Sequence, residues 1–439
     1  MNKKMSGKET IVIGLMLFAL FFGAGNMIFP PALGQQAGEH VWSAISGFLI
    51  TGVGLPFLGI LAIALTGSDV QTLGEKVHPK FGITFAIVLY LTIGPLFGIP
   101  RTGTVAYEIG ITPFLPSSFN NSWVSLLVYT ILFFGITFWL ALNPSKLIDR
   151  IGKILTPALI LILILLSGKA LLTPMGGLEA PTGDYLEGAF FKGFLEGYLT
   201  MDTLSALVFG IVIISAVKER GIVTRKEITK VSLKAGIIAA IGLIFVYISL
   251  SYIGATSVSS LGYSENGGVI LSGAASTLFG SLGNVVLGLA ITFACLTTSV
   301  GLVSACGNYL SKVFPTISYQ KVILIITIFS TCIANFGLSQ LISFSVPLLV
   351  TIYPLAIVLI LLSFIDIAFG IKSIVYIISL SATVIFSIVD GLNAANLNLS
   401  VMNDWLSYIP LFNIGMGWLV PAILGAIIGY IISNFQTEK

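Results

Sequence analysis

Gly23, Gly25 and Asn26 interrupt an apolar segment near the N-terminus at about its midpoint. As a helix, the segment from Ile11 to Leu33 would span about 35 Å, which is long enough to cross a bilayer. Two glycines weaken the helix at that depth and expose backbone N–H and carbonyl groups that no water can satisfy. Such a break is tolerated where it is buried in protein or lines a cavity that holds a polar ligand. The sequence therefore predicts a substrate and ion site, the alternative being that the glycines only permit close helix packing.

A second interruption lies in residues 194–203, where Gly197 and a polar cluster break the apolar run from Gly188 to Ala216. Gly23 and Gly197 are 174 residues apart, and five apolar segments begin at each break. An odd number of spans per repeat requires the second copy to be inverted relative to the first. Two breaks at corresponding positions favour a functional site over close packing alone.

The helix ends at these breaks have opposite polarity. The first half-helix is expected to end near Phe22 with unpaired carbonyls, and the next to begin near Asn26 with free N–H groups. Matching carbonyls are expected near Glu196 and Gly197 in the second break. Free N–H groups bind a carboxylate, and free carbonyls bind an ammonium group or a cation. The pair of breaks therefore suits a zwitterionic amino acid.

Three consecutive hydroxyl residues, Thr297, Thr298 and Ser299, lie in another apolar segment. Hard cations such as sodium prefer oxygen ligands, and these hydroxyls could complete a shell begun by carbonyls at a nearby break. The alternative is equally favoured, because Ser and Thr in membrane helices often bond to carbonyls of their own helix.

Arg101 lies in an apolar segment and is surrounded by the helix-breaking residues of the stretch 94–103. An unpaired charge is costly there, so Arg101 is expected to face a cavity and to meet a carboxylate, with Glu108, Glu196 and Asp202 as candidates. It could gate the site, bind substrate or join helices, and the structural role is slightly favoured over substrate contact. Asp202 is expected to be functional or to cap its half-helix.

Composition and charge place these residues in a polytopic membrane protein. Hydrophobic residues make up 56% of the 439 and charged residues 9%, with a mean hydropathy of +1.04; a soluble core needs far less apolar content. Twelve segments are long enough to cross a bilayer: 10–33, 41–66, 81–109, 122–142, 151–172, 188–216, 231–253, 283–310, 321–336, 339–365, 373–390 and 416–434.

The distribution of positive charge predicts the orientation. If the N-terminus is cytoplasmic, 18 of the 21 Lys and Arg residues fall on the cytoplasmic side, which also places the C-terminus there. The exceptions are Arg101, Lys169 and Lys192. A net charge of +3 gives no indication of nucleic acid binding.

The stretch 254–283 is Gly- and Ser-rich and carries no Lys or Arg. Its apolar part, Val269 to Leu282, predicts a short helix lying over the outer face, and this helix could act as a lid. No catalytic constellation is present, since His40 and His78 lie in loops on opposite sides. The protein is therefore not expected to be an enzyme.

The stretches 18–31, 94–102 and 196–202 resemble the branched-chain amino acid:cation symporter family, the BrnQ type of bacterial carrier within the amino acid, polyamine and organocation superfamily. The similarity covers nearly the whole chain. It implies sodium-driven uptake of leucine, isoleucine and valine across the bacterial cytoplasmic membrane. It also implies an all-α integral membrane fold of twelve transmembrane helices, with discontinuous helices 1 and 6. The two inverted repeats would be residues 1–172 and 173–365, and residues 366–439 would form two appended helices.

The resemblance also implies roles for individual residues. Backbone around Ala24, Gly25 and Asn26 would hold the substrate carboxylate. Carbonyls of Ala19 and Phe22 would form a sodium site with two of the three hydroxyls at Thr297, Thr298 and Ser299, whose register is open by one residue. The expected substrate site is Ala24, Gly25, Asn26, Glu196, Gly197, Tyr198 and Thr200, and the expected gate or charge network is Arg101, Glu108 and Asp202.

The expected partners are a branched-chain amino acid, sodium and the lipid bilayer, with no cofactor and no metal besides sodium. Two alternatives remain open. One is a proton-coupled carrier of the same fold for another small amino acid or solute, with Glu196 or Asp202 titrating. The other is a channel or a membrane receptor, although a channel requires a continuous polar pore.

Overall fold

The computed structural model describes residues 5–67, 69–116, 123–143, 156–264, 266–397 and 399–435, and these ranges are almost entirely helical. The α-helices are α1 (Gly7–Phe21), α2 (Ala24–Ala37), α3 (Val41–Leu49), α4 (Leu55–Thr66), α5 (Val70–Glu75), α6 (Pro79–Leu91), α7 (Gly98–Gly110), α8 (Trp123–Ala141), α9 (Thr156–Leu172), α10 (Tyr185–Glu196), α11 (Asp202–Glu219), α12 (Arg225–Ala255), α13 (Val258–Leu261), α14 (Gly267–Phe279), α15 (Ser281–Val313), α16 (Tyr319–Ala334), α17 (Leu338–Phe369), α18 (Ser373–Ala394), α19 (Ser400–Leu406) and α20 (Leu419–Phe435). The predicted all-α class is confirmed.

Seven helical stretches of the described residues are long and apolar enough to cross a membrane, and an eighth is added if the bent pair α10 and α11 counts as one. Four shorter apolar helices accompany them. Each of the twelve predicted segments overlaps helical residues, while the number of crossings stays a prediction. Some positive charges used to predict the orientation lie outside the described residues: Lys3, Lys4, Lys146, Arg150, Lys153 and Lys439.

The first break separates α1 from α2 by two residues. Phe22 and Gly23 are extended, with φ/ψ of −71°/92° and −134°/−153°. The Gly23 N–H donates to Asn26 Oδ1 at 2.9 Å, so Asn26 caps the start of α2. The second half-helix thus begins at Ala24, two residues before the position expected from the sequence.

The second break lies at Met201 and not at Gly197. The 3₁₀ turn Gly197–Thr200 continues α10, and Gly197 has helical φ/ψ of −62°/−22°. Met201 takes the left-handed conformation with φ of 65°, and α11 then starts at an angle of 43° to α10. Gly197 is needed for packing instead, because a Cβ there would collide with the Thr51 hydroxyl. The turn therefore falls inside the stretch 194–203 in which the sequence predicts the second break, four residues after Gly197.

Close backbone packing fixes the position of α2. A Cβ on Gly34 would overlap the carbonyl of Ser251 in α12, and one on Gly254 would overlap the carbonyl of Pro31. Small residues permit such approach between membrane helices. On the other side, α15 packs against α7, and α11 packs against α4. The two breaks are therefore held inside the helix bundle.

The short helix predicted between Val269 and Leu282 is present as α14. It contacts both α2 and α7. Asn266 caps it by accepting from the Gly268 N–H at 2.8 Å, and donates to Glu108 Oε2 at 2.5 Å. The fully buried Gln35 donates to Ser257 Oγ at 2.8 Å, which ties the preceding loop to the end of α2.

Candidate substrate and ion site

The two breaks meet at Asn26 and Asp202. Asn26 Nδ2 donates to Asp202 Oδ2 at 2.8 Å. The Tyr247 hydroxyl of α12 donates to the same carboxylate oxygen and also contacts Asn26. A Cβ on Gly25 would lie 3.1 Å from the Cα of Thr200, so glycine is what allows the two backbones to touch. Asn26 and Asp202 are each 2% exposed, so this polar cluster is buried.

A small cavity lies between the breaks. Its volume is about 30 Å³, which is room for one water molecule and too little for an amino acid. Its walls combine free helix ends with apolar side chains: Leu20, Phe21, Gly23, Ala24, Gly25, Asn26, Ile93, Gly98, Arg101, Thr102, Thr200, Met201, Asp202, Ser205, Thr298 and Leu302. The site is therefore closed in this conformation, and a substrate can enter only if the surrounding helices separate.

The Thr298 hydroxyl lies at the C-terminal end of α1. Its Oγ1 is 3.5 Å from the carbonyl oxygen of Ala19, 3.3 Å from that of Leu20 and 3.4 Å from that of Phe22. The last carbonyls of a helix have no intrahelical partner, and a hydroxyl has only one hydrogen to donate. These oxygens therefore carry more lone pairs than the hydroxyl can satisfy, which suits a cation.

The hydroxyls of Thr297 and Ser299 point toward different helices. Thr297 Oγ1 is 3.3 Å from the Ala19 carbonyl and 2.8 Å from the carbonyl of Ala294 in its own helix. Ser299 Oγ accepts from Thr137 of α8 at 3.3 Å. The structure brings Thr297 and Thr298 to the first break, whereas it does not bring Ser299 there.

Arg101 meets no carboxylate among the described residues, contrary to expectation. Its guanidinium donates to the Leu199 carbonyl at 2.5 Å and to Ser345 Oγ at 3.0 Å, and it lies 5.4 Å from the centre of the Phe29 ring. Leu199 belongs to the second break and Phe29 to α2. Arg101 therefore joins the breaks through a backbone carbonyl and an aromatic face.

The three carboxylates proposed as partners of Arg101 have other neighbours. Glu108 accepts from Asn266, and Glu196 lies 3.4 Å from Lys192 in an ion pair one helical turn away. Neither they nor Gly197 and Tyr198 line the cavity. Tyr198 stacks on Tyr353, with ring centroids 4.4 Å apart. Asp202 is the one candidate that reaches the cavity.

A family model described as "Branched-chain amino acid transport protein" matches residues 6–436. The chain is also 56% identical over 436 residues to the branched-chain amino acid permease BraB of Bacillus subtilis, covering 99% of the chain and 98% of that relative. The chain belongs to the branched-chain amino acid transport protein family. Its identity to the permease BrnQ of Escherichia coli K12 is 40% over 431 residues, covering 98% of the chain and 97% of the relative. The predicted family is confirmed, and the protein is an integral membrane transporter and not an enzyme.

Solved structures show the same fold. Mhp1, a nucleobase-cation-symport-1 family transporter in a closed conformation, matches with a TM-score of 0.62 at 15% identity, covering 99% of this chain and 94% of Mhp1. MhsT in complex with L-phenylalanine matches with a TM-score of 0.61 at 18% identity, covering 98% and 99% of the two chains. At these identities the likeness concerns the fold alone.

Sequence reasoning missed Tyr247 and Ser345. A phenol in the apolar run around 247 is a weak signal, since tyrosine is common at the edges of membrane helices. A serine in α17 is equally ordinary, because it can bond to its own helix, and Ser345 does donate to Ile342 O at 3.0 Å. Only the tertiary packing shows that Tyr247 points at Asp202 and that Ser345 faces Arg101.

Proposed function

We propose that this protein is a secondary transporter that imports leucine, isoleucine and valine together with sodium by alternating access. The observation that carries the proposal is the meeting of two helix breaks around a closed cavity with a cluster of carbonyl and hydroxyl oxygens beside it. Opposed helix ends at such a point suit a zwitterion and a cation. The names of the family and of the relatives BraB and BrnQ support the substrate class.

The substrate carboxylate is placed at the start of α2, where the N–H groups of Ala24, Gly25 and Asn26 are available. The aliphatic side chain is placed against the apolar wall of the cavity, which includes Leu20 and Ile93. Sodium is placed among the carbonyls of Ala19 and Phe22 and the hydroxyls of Thr297 and Thr298. Because both ligands contact the α1–α2 break, binding of one would favour binding of the other.

The fold is proposed to be a five-plus-five inverted repeat of residues 1–172 and 173–365, with residues 366–439 appended and twelve crossings in total. The two breaks would then occupy equivalent positions in repeats of opposite orientation. Both termini are placed in the cytoplasm, on the basis of the positive charges near the predicted cytoplasmic ends.

A proton-coupled carrier of the same fold is the second candidate. It is supported by Asp202, a buried carboxylate that accepts hydrogen bonds from two neutral groups, the Asn26 amide and the Tyr247 hydroxyl. An intramembrane carboxylate of this kind is a frequent proton carrier. Glu196 is less suited to that role because it is paired with Lys192 outside the cavity.

Uptake of radiolabelled leucine into proteoliposomes separates the candidates. One set carries an inward sodium gradient at equal pH, and a second carries a proton gradient with choline replacing sodium. Sodium coupling predicts accumulation in the first set alone, and proton coupling predicts it in the second. Liposomes without protein are the control, and no accumulation of leucine, isoleucine or valine under either gradient would refute the proposed function.

A further inference from the structure

Two buried groups of opposite charge, Arg101 and Asp202, line the same cavity without forming an ion pair with each other. Each is 2% exposed. A buried charge without a partner is strongly unfavourable in a protein interior, and more so within a membrane. Two such groups facing one closed space indicate a ligand that carries both charges.

Among the described residues, the groups that contact the Arg101 guanidinium are a carbonyl, a hydroxyl and an aromatic ring, and none is a carboxylate. Its two terminal nitrogens donate to the Leu199 carbonyl and the Ser345 hydroxyl, and its Nε has no acceptor within the described part of the chain. The Phe29 ring adds a weak attraction for the cation. A carboxylate would supply both the missing acceptor and the missing charge, since guanidinium groups commonly bind carboxylates with two nitrogens.

The surroundings of Asp202 are complementary. Asn26 and Tyr247 both donate to Oδ2, and both are neutral. No Lys or Arg of the described ranges lies within ion-pair distance of this carboxylate. A primary ammonium group would supply the positive charge.

We propose that Arg101 binds the carboxylate and Asp202 the ammonium group of the same α-amino acid, so that each charge of the zwitterion is matched by a buried side chain. This inference rests on the proposed function and adds two side chains to it: Arg101 binds the carboxylate together with the N–H groups at the start of α2, which line the same cavity, and Asp202 binds the ammonium group. The apolar wall at Leu20, Ile93 and Leu302 then receives the aliphatic side chain. The site selects α-amino acids over amines and over carboxylic acids, because either would leave one buried charge unmatched.

The test compares leucine with two analogues that each carry one charge: leucinamide, which has the ammonium group, and 4-methylpentanoate, which has the carboxylate. Half-saturating concentrations are measured by thermal stabilisation of the purified protein in saturating sodium. The measurement is made at about pH 6.5. At this pH the amino and carboxyl groups of the three compounds are charged, because their pKa values are about 8 and about 4.

Asp202→Asn is expected to weaken binding of leucine and leucinamide by about tenfold or more, while binding of 4-methylpentanoate changes by less than about threefold. Arg101→Gln is expected to give the opposite pattern: binding of 4-methylpentanoate and leucine is weakened, and binding of leucinamide is nearly unchanged. The matched controls are Asp390→Asn, in α18, and Arg220→Gln, at the end of α11, because neither residue lines the cavity. Both controls should bind all three compounds like the wild type.

The inference would be overturned if a variant bound all three compounds more weakly by the same factor, or bound all three like the wild type. The reversed pattern would overturn it as well. If one variant does not fold, the other still tests its own half of the assignment. Failure of the proposed function is distinguishable, because the wild-type protein would then not bind leucine. Binding of leucine by the wild type without the crossed pattern in the variants contradicts only the assignment of the two side chains.

Discussion

At the scale of residues, the direction in which the Thr298 and Ser299 hydroxyls point decides which of them can contribute to the proposed sodium site. They are neighbours in α15, but the Thr298 hydroxyl faces three carbonyls at the end of α1, while Ser299 faces Thr137 of α8. Adjacent residues of a helix point about 100° apart, so consecutive hydroxyls cannot all serve one site. The geometry therefore favours Thr298, with Thr297, for the proposed sodium site.

Replacement of Thr298 by alanine should raise the sodium concentration for half-maximal leucine uptake by about tenfold, because a ligand oxygen is lost from a buried site. Ser299→Ala is the matched control and should leave that concentration within about twofold of the wild type, since its hydroxyl faces α8. Uptake is measured in proteoliposomes at saturating leucine. If both variants had the same sodium concentration for half-maximal uptake, Thr298 would not be a ligand of the proposed site.

The sequence predicts part of this site well. Gly25, Asn26, Thr298 and Asp202 are visible because polar or flexible residues are costly in apolar segments. The partner of Arg101 could not be predicted, since it is the backbone carbonyl of Leu199, and every residue has such a carbonyl. Distances across the bundle, and not residue types, decide which donor meets which acceptor.

At the scale of elements, the first break depends on contact between backbones. Gly25 touches Thr200, which leaves no space for a side chain. This contact holds the start of α2 beside the start of α11 and so brings Asn26 to Asp202. The glycine is required by the approach of the second break and not only by the weakness of the helix.

Gly25→Ala should therefore push the breaks apart and reduce leucine uptake by at least about tenfold, because its methyl group would lie about 3 Å from backbone atoms. Gly135→Ala is the control. Gly135 lies in α8, and a Cβ there would meet nothing within 4 Å. Uptake is compared at equal amounts of reconstituted protein. Wild-type uptake by Gly25→Ala would show that the close contact is dispensable.

The short helix α14 is a second element with a clear prediction. Asn266 connects α14 to α7 through Glu108 and also caps α14. Asn266→Ala removes both interactions, so backbone amides of residues 257–279 should exchange hydrogen faster by about fivefold to tenfold. Hydrogen–deuterium exchange with mass spectrometry measures this.

The exposed residue Glu39 provides the control for that measurement, and Glu39→Ala should leave exchange in residues 257–279 unchanged. Unchanged exchange in Asn266→Ala would show that the Glu108 contact does not hold α14 in place. The hypothesis that this helix acts as a lid would then lose its support.

The helices could be predicted better from the sequence than the exact residues at which they break. Both breaks lie in the stretches that the sequence indicates, but the second turns at Met201, four residues after Gly197. A left-handed methionine costs about 1–2 kcal/mol, so nothing local in the sequence predicts it. Tertiary packing imposes that conformation, whereas Gly197 serves the contact with Thr51.

At the scale of the whole molecule, the proposed orientation has a direct test. Single cysteines at the exposed positions Glu179 and Lys230 should differ in accessibility, with only position 179 reacting with a membrane-impermeant thiol reagent on intact cells. Cys332, an exposed cysteine, is first replaced by serine. Labelling at position 230 and protection at position 179 would show that the topology is the reverse of the one proposed.

Binding of leucine to the purified protein as a function of sodium tests the central claim most directly. If one pair of breaks holds both ligands, sodium should tighten leucine binding by about 5- to 150-fold relative to choline at constant ionic strength. Leucine must then tighten sodium binding by the same factor. Leucine affinity that is equal in sodium and in choline would contradict the proposal that substrate and sodium bind together at the α1–α2 break.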